Sequence, residues 1–431
     1  MQLNFYYLPE DKKRTYEEII STLAENKEKL KVAEVDDAII LPSGADGSFF
    51  DSSGGVLHDN KIVDISMHYR NNEQLIQDRI IEQKIEPFET RNKTAFFLGD
   101  CINQWGHFLL ESITRLYPLI NNINPDYDYV FTGSPKGEFP QVYELLEIFG
   151  LKREQIIFID KPTKYAKVII PEQSNRLNGA YHKEYVDILN KIQSNVVPKQ
   201  NKKIYLSRTK LLYDNVFGED VIENIFKQNG YKIIYPERLS VYEQIAYIKG
   251  AEEIAGLVGS AMHSLVFARN DIKVHILNRS CEINLPQLYI NKMKNFNTSI
   301  IKADLGFLPT VCGIGPFLVG YTVYFEQFLK QNNYKINLKR LNNFNNTMYE
   351  YIKYWLYKNG KKATDKTKRQ YLLEIYKNSN IDLFADLIDN LDDASNLYGL
   401  YKKSAIYRIQ KEFKRISFKL CNLKKKLINK Y

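Results

Sequence analysis

The sequence predicts an α/β protein made of two wound halves that face a cleft, followed by a helical extension. Short apolar runs typical of strands alternate with segments whose apolar residues recur at helical spacing, and this alternation indicates parallel, wound sheets. A polar linker at residues 196–203 divides the alternation into two halves, and strand signals end near residue 322. The predicted domains are therefore residues 1–197, 198–321 and 322–431.

The first half contains four predicted strands, a hairpin and two helices. The strands are predicted over residues 38–41, 94–98, 129–132 and 155–158. The hairpin is predicted around the turn at residues 58–61, and one helix is predicted over residues 141–149. The other helix is predicted after Asp100, where five apolar residues recur at helical spacing: Phe108, Leu109, Ile113, Leu116 and Leu119.

The second half repeats this alternation. Strands are predicted over residues 204–206, 231–234, 253–258 and 273–277, the last of which ends the predicted sheet. Helices are predicted over residues 218–229, 241–250 and 261–268. Ligands of wound sheets bind at the carboxyl ends of the strands, so polar residues that directly follow a strand are the candidates for a site.

Composition excludes several classes of protein. With 431 residues, 44% hydrophobic and 26% charged, the chain is neither disordered nor fibrous nor a small disulfide-bonded scaffold. The four cysteines are scattered, which predicts a reduced, cytoplasmic protein. No signal-peptide pattern opens the sequence and no apolar run is long enough to span a bilayer. We find no Walker A, GxGxxG, GxSxG or HExxH motif, so ATPase, dinucleotide, hydrolase and zinc-peptidase functions lose support.

The net charge of +9 is concentrated at the C-terminal end. Residues 402–431 hold eleven Lys and Arg against one Glu, which leaves 49 basic and 50 acidic residues in the rest of the chain. In the same segment apolar residues recur at alternating spacings of three and four. Such a helix can form a coiled coil, dock on the body of the protein or lie on a membrane. Because the coiled coil places Lys419 against Lys424, we predict binding to an anionic membrane surface.

His107 and Glu111 are the first candidate catalytic residues. They follow the predicted strand 94–98 and stand four residues apart on one face of the predicted helix, with Arg115 one turn further. A carboxylate beside an imidazole orients the ring and stabilises its charged form, which is an arrangement suited to a general base. The alternative is structural, with His107 capping the helix and Glu111 paired with Arg115.

A second candidate site lies where the predicted strand 253–258 runs into a helix. Gly259 allows close approach of the backbone, Ser260 offers a hydroxyl, and His263 and Ser264 lie in the first turn. The free N–H groups at a helix start favour a phosphate group. The alternative is an ordinary corner in which the serine caps the helix.

Arg208 and Lys210 form the third candidate, at the end of the predicted strand 204–206. The planar guanidinium group of an arginine suits a diphosphate, and Lys210 adds a second positive charge. Two solvated surface cations are the alternative. The cationic strand end and the helix start fall in the same predicted domain, and together they favour a nucleotide diphosphate.

Taken in order, five motifs resemble those of glycosyltransferase family 61. They are the hairpin at Gly54–Asn60, the HFLLE helix at His107–Leu116, the strand end at Leu206–Arg208, the YPExLS segment at Tyr235–Ala246 and the corner at Leu257–Phe267. Many members of the family have a His–Gly pair in this corner, where Val258 and Gly259 stand here. No role is therefore carried over from that histidine.

The resemblance implies a GT-B-like fold, with two Rossmann-like domains facing a cleft, and inverting sugar transfer from a nucleotide sugar, with a UDP-sugar as the expected donor. It implies that Arg208, Ser260 and His263 bind the donor diphosphate, that Glu243 binds the ribose hydroxyls, and that His107 and Glu111 face the acceptor. GT-B-like enzymes commonly rely on such groups, so activity without a metal or other cofactor is expected.

The expected role is cell-surface, for example capsular, polysaccharide synthesis at the inner face of the membrane, with a glycan or lipid-linked oligosaccharide as acceptor. Two alternatives stay open at this point. One is a polysaccharide pyruvyl transferase, and the other is a non-enzymatic protein that binds an anion or nucleic acid through its basic tail. The tail matches no known nucleic-acid-binding module, so no nucleic-acid partner is expected.

Overall fold

A seven-stranded sheet and a six-stranded sheet form the framework. The computed structural model describes residues 4–43, 54–70, 73–74, 85–132, 140–211, 216–305, 315–336 and the single residues 347, 350, 351, 354 and 355. The strands are β1 (Asn4–Tyr7), β2 (Val32–Leu41), β3 (Gly55–His58), β4 (Lys61–Ile62), β5 (Tyr69–Arg70), β6 (Glu73–Gln74), β7 (Glu89–Asp100), β8 (Asp128–Thr132), β9 (Ile156–Ile159), β10 (Thr163–Pro171), β11 (Asn201–Leu206), β12 (Val216–Phe217), β13 (Lys232–Ile234), β14 (Ala251–Leu257), β15 (Lys273–Asn278), β16 (Asn297–Lys302) and β17 (Phe317–Leu318). The helices are α1 (Glu10–Thr22), α2 (Trp105–His107), α3 (Pro140–Phe149), α4 (Lys183–Ser194), α5 (Glu219–Gln228), α6 (Val241–Gly250), α7 (Ser260–His263), α8 (Leu285–Met293) and α9 (Val323–Gln331).

The seven-stranded sheet has the order β4-β3-β2-β10-β7-β8-β9. Strands β10, β7, β8 and β9 run parallel, whereas β2, β3 and β4 add an antiparallel edge. The apolar run at residues 95–98 of β7 is buried throughout, because β7 lies inside the parallel part of the sheet, where both faces are covered. The predicted hairpin is confirmed, with Asp59 and Asn60 at positive φ in its two-residue turn.

The six-stranded sheet has the order β1-β16-β15-β14-β11-β13. Strand β14 runs parallel to both β11 and β15, and β1 runs parallel to β16. This sheet therefore includes the first strand of the chain and continues past the strand predicted over 273–277, which the sequence had indicated as its last. Strand β1 and strand β16 are short, and isolated short runs of this kind give a weak pattern.

The described chain forms two compact units. One contains Met1–Leu206, Gly230–Leu277 and Ile283–Ile301, and therefore holds both sheets. The other contains Ser207–Asn229, Asn278–Glu282 and the described residues from Lys302 onward. In the second unit, α5 and α9 share an aromatic cluster in which the rings of Phe226 and Phe325 lie 6.1 Å apart. The predicted α/β class with wound sheets is confirmed, whereas the GT-B-like arrangement and the domain boundaries stay predictions.

The segment after β7 differs from the single helix that the sequence predicts. The three-residue helix α2 continues as a π-helical turn, Phe108–Ser112, and then as turns that reach Leu119. The wider turn frees two carbonyl groups, and these accept hydrogen bonds from Tyr185 Oη at 2.9 Å and Asn175 Nδ2 at 2.6 Å. Hydrogen bonds from α4 and its preceding loop thus replace those that the π-helical turn lacks. The spacing of apolar residues alone predicts an α-helix here.

Candidate active site

The loop at the carboxyl end of β7 leads directly into α2. Gln104 caps this helix, since its side-chain oxygen accepts the backbone N–H of His107 at 2.8 Å. The following π-helical turn buries Glu111 while leaving the side chain of His107 27% exposed. The chain therefore presents the imidazole at the surface and keeps its carboxylate partner inside.

Glu111 is the centre of a buried ionic cluster. Its carboxylate contacts His107 Nδ1, and it accepts hydrogen bonds from His68 Nε2 at 2.9 Å and from Arg70 Nη2 at 3.1 Å. Arg70 Nε contacts the same carboxylate, so the guanidinium group binds it through two nitrogens. The side chain of Glu111 has no exposed surface, and Arg70 is only 13% exposed.

This cluster keeps Glu111 ionised. Burial by itself raises the pKa of the Glu111 carboxyl group, but hydrogen bonds from His107, His68 and Arg70 outweigh burial and hold that pKa well below its usual value. A carboxylate only accepts hydrogen bonds, so both histidines must present an N–H to it. In His107 the donating nitrogen is then Nδ1, and Nε2 is the nitrogen that can accept a proton from a substrate.

Arg115 does not pair with Glu111, so the structural alternative considered for this segment is wrong in that part. Its guanidinium group donates to the carbonyl oxygens of Ile65 at 2.7 Å and Met67 at 2.9 Å, and it also contacts that of Pro171. Burial lowers the pKa of Arg115 to about 10. Arg115 thereby holds the segment that carries His68 against the end of β10.

The corner after β14 begins at Gly259, whose φ of 148° is one that other residues rarely adopt. The helix predicted over 261–268 is shorter in the structure, where α7 has four residues and is followed by a 3₁₀ turn, Ser264–Phe267. So short a helix contributes little dipole, which weakens the predicted reason for a phosphate to bind there. Gly259 caps the helix, and no side chain does so.

The two candidate motifs contact each other directly. Gln104 Nε2 donates to Ser260 Oγ at 2.5 Å, and Trp105 Nε1 donates to Ser264 Oγ at 2.7 Å. Because both serines accept these bonds, each keeps its own hydroxyl hydrogen for another acceptor.

Gly106 packs against His263. A Cβ atom on Gly106 would lie 2.5 Å from His263 Nδ1, so only glycine allows this approach. His263 Nε2 lies 3.2 Å from Asn284 Oδ1, and Asn284 also caps α8. His107, Glu111, Gly259, Ser260, His263 and Ser264 are thus brought together in one unit.

Arg208 and Lys210 follow the last residue of β11 in sequence and belong to the other unit. The backbone N–H of Arg208 donates to Glu219 Oε1 at 3.1 Å, while Ser207 Oγ and Thr209 Oγ1 both donate to Glu223 Oε2 at 2.6 Å. Two glutamates of α5 therefore fix the course of the chain through Arg208. The roles of Arg208 and Lys210 toward a donor stay predictions.

Glu243 has a local structural role. It forms a capping box with Ser240 at the start of α6 and contacts Lys199 Nζ at 3.2 Å. The hydrogen bond from Lys199 is the main cause of a lowered pKa for the Glu243 carboxyl group. Its predicted contact with ribose is not tested by these interactions.

Sequence reasoning missed His68, Arg70, Gln104, Trp105 and Gly106. His68 and Arg70 are two residues apart in an extended segment, a spacing that places both side chains on one side. That alternation was the available signal, but 41 residues separate Arg70 from Glu111, so their contact depends on the fold. In the described part of the chain, no group of three His, Cys, Asp or Glu residues is arranged to hold a metal ion.

A histidine–carboxylate pair beside a strand–Gly–Ser corner, on two wound sheets, is an arrangement suited to a group-transfer enzyme. The glycosyltransferase 61 family model matches residues 105–275, a stretch that contains every catalytic and donor-binding residue that the sequence predicts. The match supports the resemblance to this family and glycosyltransferase activity. Comparison with curated proteins finds no match. Among the described residues, no helix has both the length and the apolar character to cross a membrane.

Proposed function

We propose that this protein is an inverting glycosyltransferase that moves a sugar from a nucleotide-sugar donor to a hydroxyl group of a glycan acceptor. The observation that carries the proposal is the direct contact between the His107 segment and the Gly259–Ser264 corner, through Gln104–Ser260 and Trp105–Ser264. These contacts support the proposal, because they join the segment of the candidate base to the segment of the candidate phosphate ligands. The family match covers both segments and favours glycosyl transfer over pyruvyl transfer or nucleic-acid binding.

The proposed chemistry is a single displacement. His107 Nε2 takes the proton of the acceptor hydroxyl while that oxygen forms a bond to the anomeric carbon of the donor sugar. The bond between the anomeric carbon and the diphosphate oxygen breaks, and the nucleoside diphosphate leaves with the electron pair. Glu111 orients the imidazole through Nδ1, so that Nε2 faces the acceptor.

The leaving diphosphate needs positive or hydrogen-bonding groups. We assign this role to Arg208 and Lys210, which follow β11, and to Ser260 and His263, which follow β14. The hydroxyl hydrogen of Ser260 remains available, since its oxygen accepts from Gln104. A UDP-sugar is the proposed donor, and we propose that no metal ion takes part.

The proposed setting is cell-surface polysaccharide synthesis at the inner face of the membrane. The basic segment 402–431, which lies outside the described residues, would bind anionic lipid and bring the enzyme to a lipid-linked oligosaccharide. Co-sedimentation of the full chain with phosphatidylglycerol vesicles, compared with phosphatidylcholine vesicles, tests this part. Equal sedimentation with both lipids would contradict it.

A panel of nucleotide diphosphates and nucleotide sugars tests the transferase function on the full chain. We expect one nucleotide class to raise Tm and its sugar conjugate to be slowly cleaved without acceptor, in EDTA as well as in buffer. Arg208→Ala should remove the shift in Tm, whereas His107→Gln should keep it and lose the cleavage. Absence of binding by every nucleotide would contradict the proposal, and rescue of an EDTA-inactivated enzyme by Mn²⁺ would contradict its metal independence.

A further inference from the structure

We propose that Arg70 is a positioning residue that neutralises Glu111, so that the carboxylate orients His107 without increasing its affinity for a proton. The inference rests on the proposed function for its catalytic consequence. It concerns a residue that lies before the matched family segment and that the sequence did not single out.

The first step is the geometry of the ion pair. Arg70 binds the carboxylate of Glu111 through Nε and through Nη2, the latter at 3.1 Å. A two-nitrogen contact with a buried carboxylate adds energy and fixes the geometry of the pair. The pair as a whole has no net charge.

The second step is the rigidity of Arg70. The backbone of β5 pairs with Leu177, and the N–H of Tyr69 donates to Gln173 Oε1 at 2.7 Å. The guanidinium group of Arg176 lies 4.7 Å from the centre of the Tyr69 ring. The segment 173–177 therefore holds β5, and these contacts fix the position of Arg70 independently of Glu111.

The third step is the effect on His107. A carboxylate that no positive charge neutralises favours the charged form of a basic group within about 4–6 Å and raises the pKa of that group by about 1–3 units. Here the guanidinium group of Arg70 binds the same carboxylate, and its positive charge opposes protonation of His107. His68 donates a further hydrogen bond from Nε2 to this carboxylate. The cluster can then fix the ring without a large electrostatic bias toward imidazolium.

Other ionisable groups also lie on the elements that pack around this turn. They are His263 on α7, Asp100 at the end of β7, which contacts Thr132, and Arg115, whose guanidinium group is bound to backbone carbonyls. None of them is changed in the experiment below, so their influence on His107 is constant across the variants.

Histidine NMR titration of the full chain tests the proposal without any assay of activity. The sequence has six histidines, and the signal of His107 is the one lost in His107→Gln. In Arg70→Gln, which removes the charge but keeps an amide donor, the titration midpoint of His107 should rise by about one pH unit. Arg70→Lys, which keeps the charge, should titrate like the wild type.

Two further variants make the result decisive. Arg176→Gln is the matched control, since it removes an arginine next to β5 that pairs with Glu172 instead of Glu111, and the midpoint of His107 should not move. In the double variant Arg70→Gln/Glu111→Gln both charges disappear together, and the midpoint should return to the wild-type value. An unchanged midpoint in Arg70→Gln would overturn the proposal. A titration midpoint of His107 about one pH unit below the wild-type value in the double variant would also overturn it. The double variant therefore tests the proposal even if Arg70→Gln does not fold.

Enzyme kinetics separate this inference from the proposed function. If His107 is the base, the alkaline shift of its midpoint in Arg70→Gln appears as an equal shift of the rising limb of kcat/KM against pH. A purely structural role for Arg70 lowers the rate at every pH by the same factor. If the wild type transfers no sugar, the proposed function fails, while the titration still decides the role of Arg70.

Discussion

Two glutamates in the described structure, the buried Glu111 and the partly buried Glu253, each contact a histidine, but their surroundings differ. Glu111 follows β7 and contacts His107, whose side chain is 27% exposed. Glu253 lies near the start of β14 and contacts His275 Nε2 at 3.1 Å, and the side chain of His275 is only 6% exposed. The first pair follows the carboxyl end of a strand, and the second lies toward the amino ends of parallel strands, opposite to where such sheets bind ligands.

The difference shows that a histidine–carboxylate contact alone does not identify a catalytic site. Burial opposes ionisation of Glu253, but hydrogen bonds from His275 and Tyr231 lower the pKa of its carboxyl group to about 2. Burial is also the main cause of the lowered pKa of His275. His275 is thus a neutral, enclosed hydrogen-bond donor, whereas His107 reaches solvent and can meet a substrate.

His107→Gln should have the largest effect. The amide keeps the volume of the side chain but cannot take a proton, so kcat should fall by about 10²- to 10⁴-fold with little change in donor affinity. Steady-state kinetics with the donor found in the nucleotide panel gives both values. His275→Gln is the matched control in the other cluster, and we expect activity close to the wild type with a free energy of unfolding lower by about 1–3 kcal/mol. Equal loss of activity in both variants would remove the distinction between the clusters.

Glu111→Gln should change the pH dependence of stability more than any other single substitution considered. Its carboxyl pKa is below the usual value in the folded chain, so the ionised form favours folding. That contribution is complete above about pH 5 and is lost as the pH falls below the ordinary carboxyl pKa of about 4.3. We expect the variant to lose about 3–5 kcal/mol at pH 7 and to show a flatter acid limb in denaturant titrations.

Glu253→Gln provides the comparison for this acid effect. The ionised form of Glu253 also favours folding, and this contribution is lost as the pH falls from about 4.5 toward 2. One of the partners of Glu253 is Lys203, whose Nζ lies at the longer distance of 3.5 Å. We expect a loss of about 1–3 kcal/mol at pH 7 and no loss of activity. A larger stability loss in Glu253→Gln than in Glu111→Gln would contradict the expectation that the contacts of Glu111 contribute more to the free energy of unfolding.

Gly106→Ala should have an intermediate effect on activity. The added methyl group would lie 2.5 Å from His263 Nδ1, so the imidazole or the helix α2 must move. A displacement of about 1 Å near reacting groups costs about 100-fold in rate, and we expect a 10- to 100-fold fall in kcat/KM. Gly230→Ala is the control, since a methyl group there meets nothing within 4 Å, although its φ of 84° makes the substitution strained. It should lower Tm without changing kcat/KM.

Much of the fold follows from local pattern, and the site follows only in part. Strand β8 and helix α6 lie where their apolar patterns predict them, because such patterns depend on residues that are close together in the sequence. The i, i+4 contact of His107 with Glu111 is predictable for the same reason. Arg70, which the sequence separates from Glu111 by a hairpin and a strand, joins the cluster through the contacts of β5 with residues 173–177, which local pattern does not predict.

The smallest expected effect concerns Glu243, a partly exposed glutamate outside both clusters. Its contacts with Ser240 and Lys199 predict that Glu243→Ala weakens the start of α6 and lowers Tm by about one or two degrees. Ser240→Ala is the matched control, because it breaks the same capping box and leaves the carboxylate in place. If Glu243 contacts the donor ribose, Glu243→Ala should also bind the nucleotide more weakly than Ser240→Ala does, as measured by calorimetry. Equal affinities would remove Glu243 from the donor site and leave it, like Glu253, a carboxylate whose partners serve the fold.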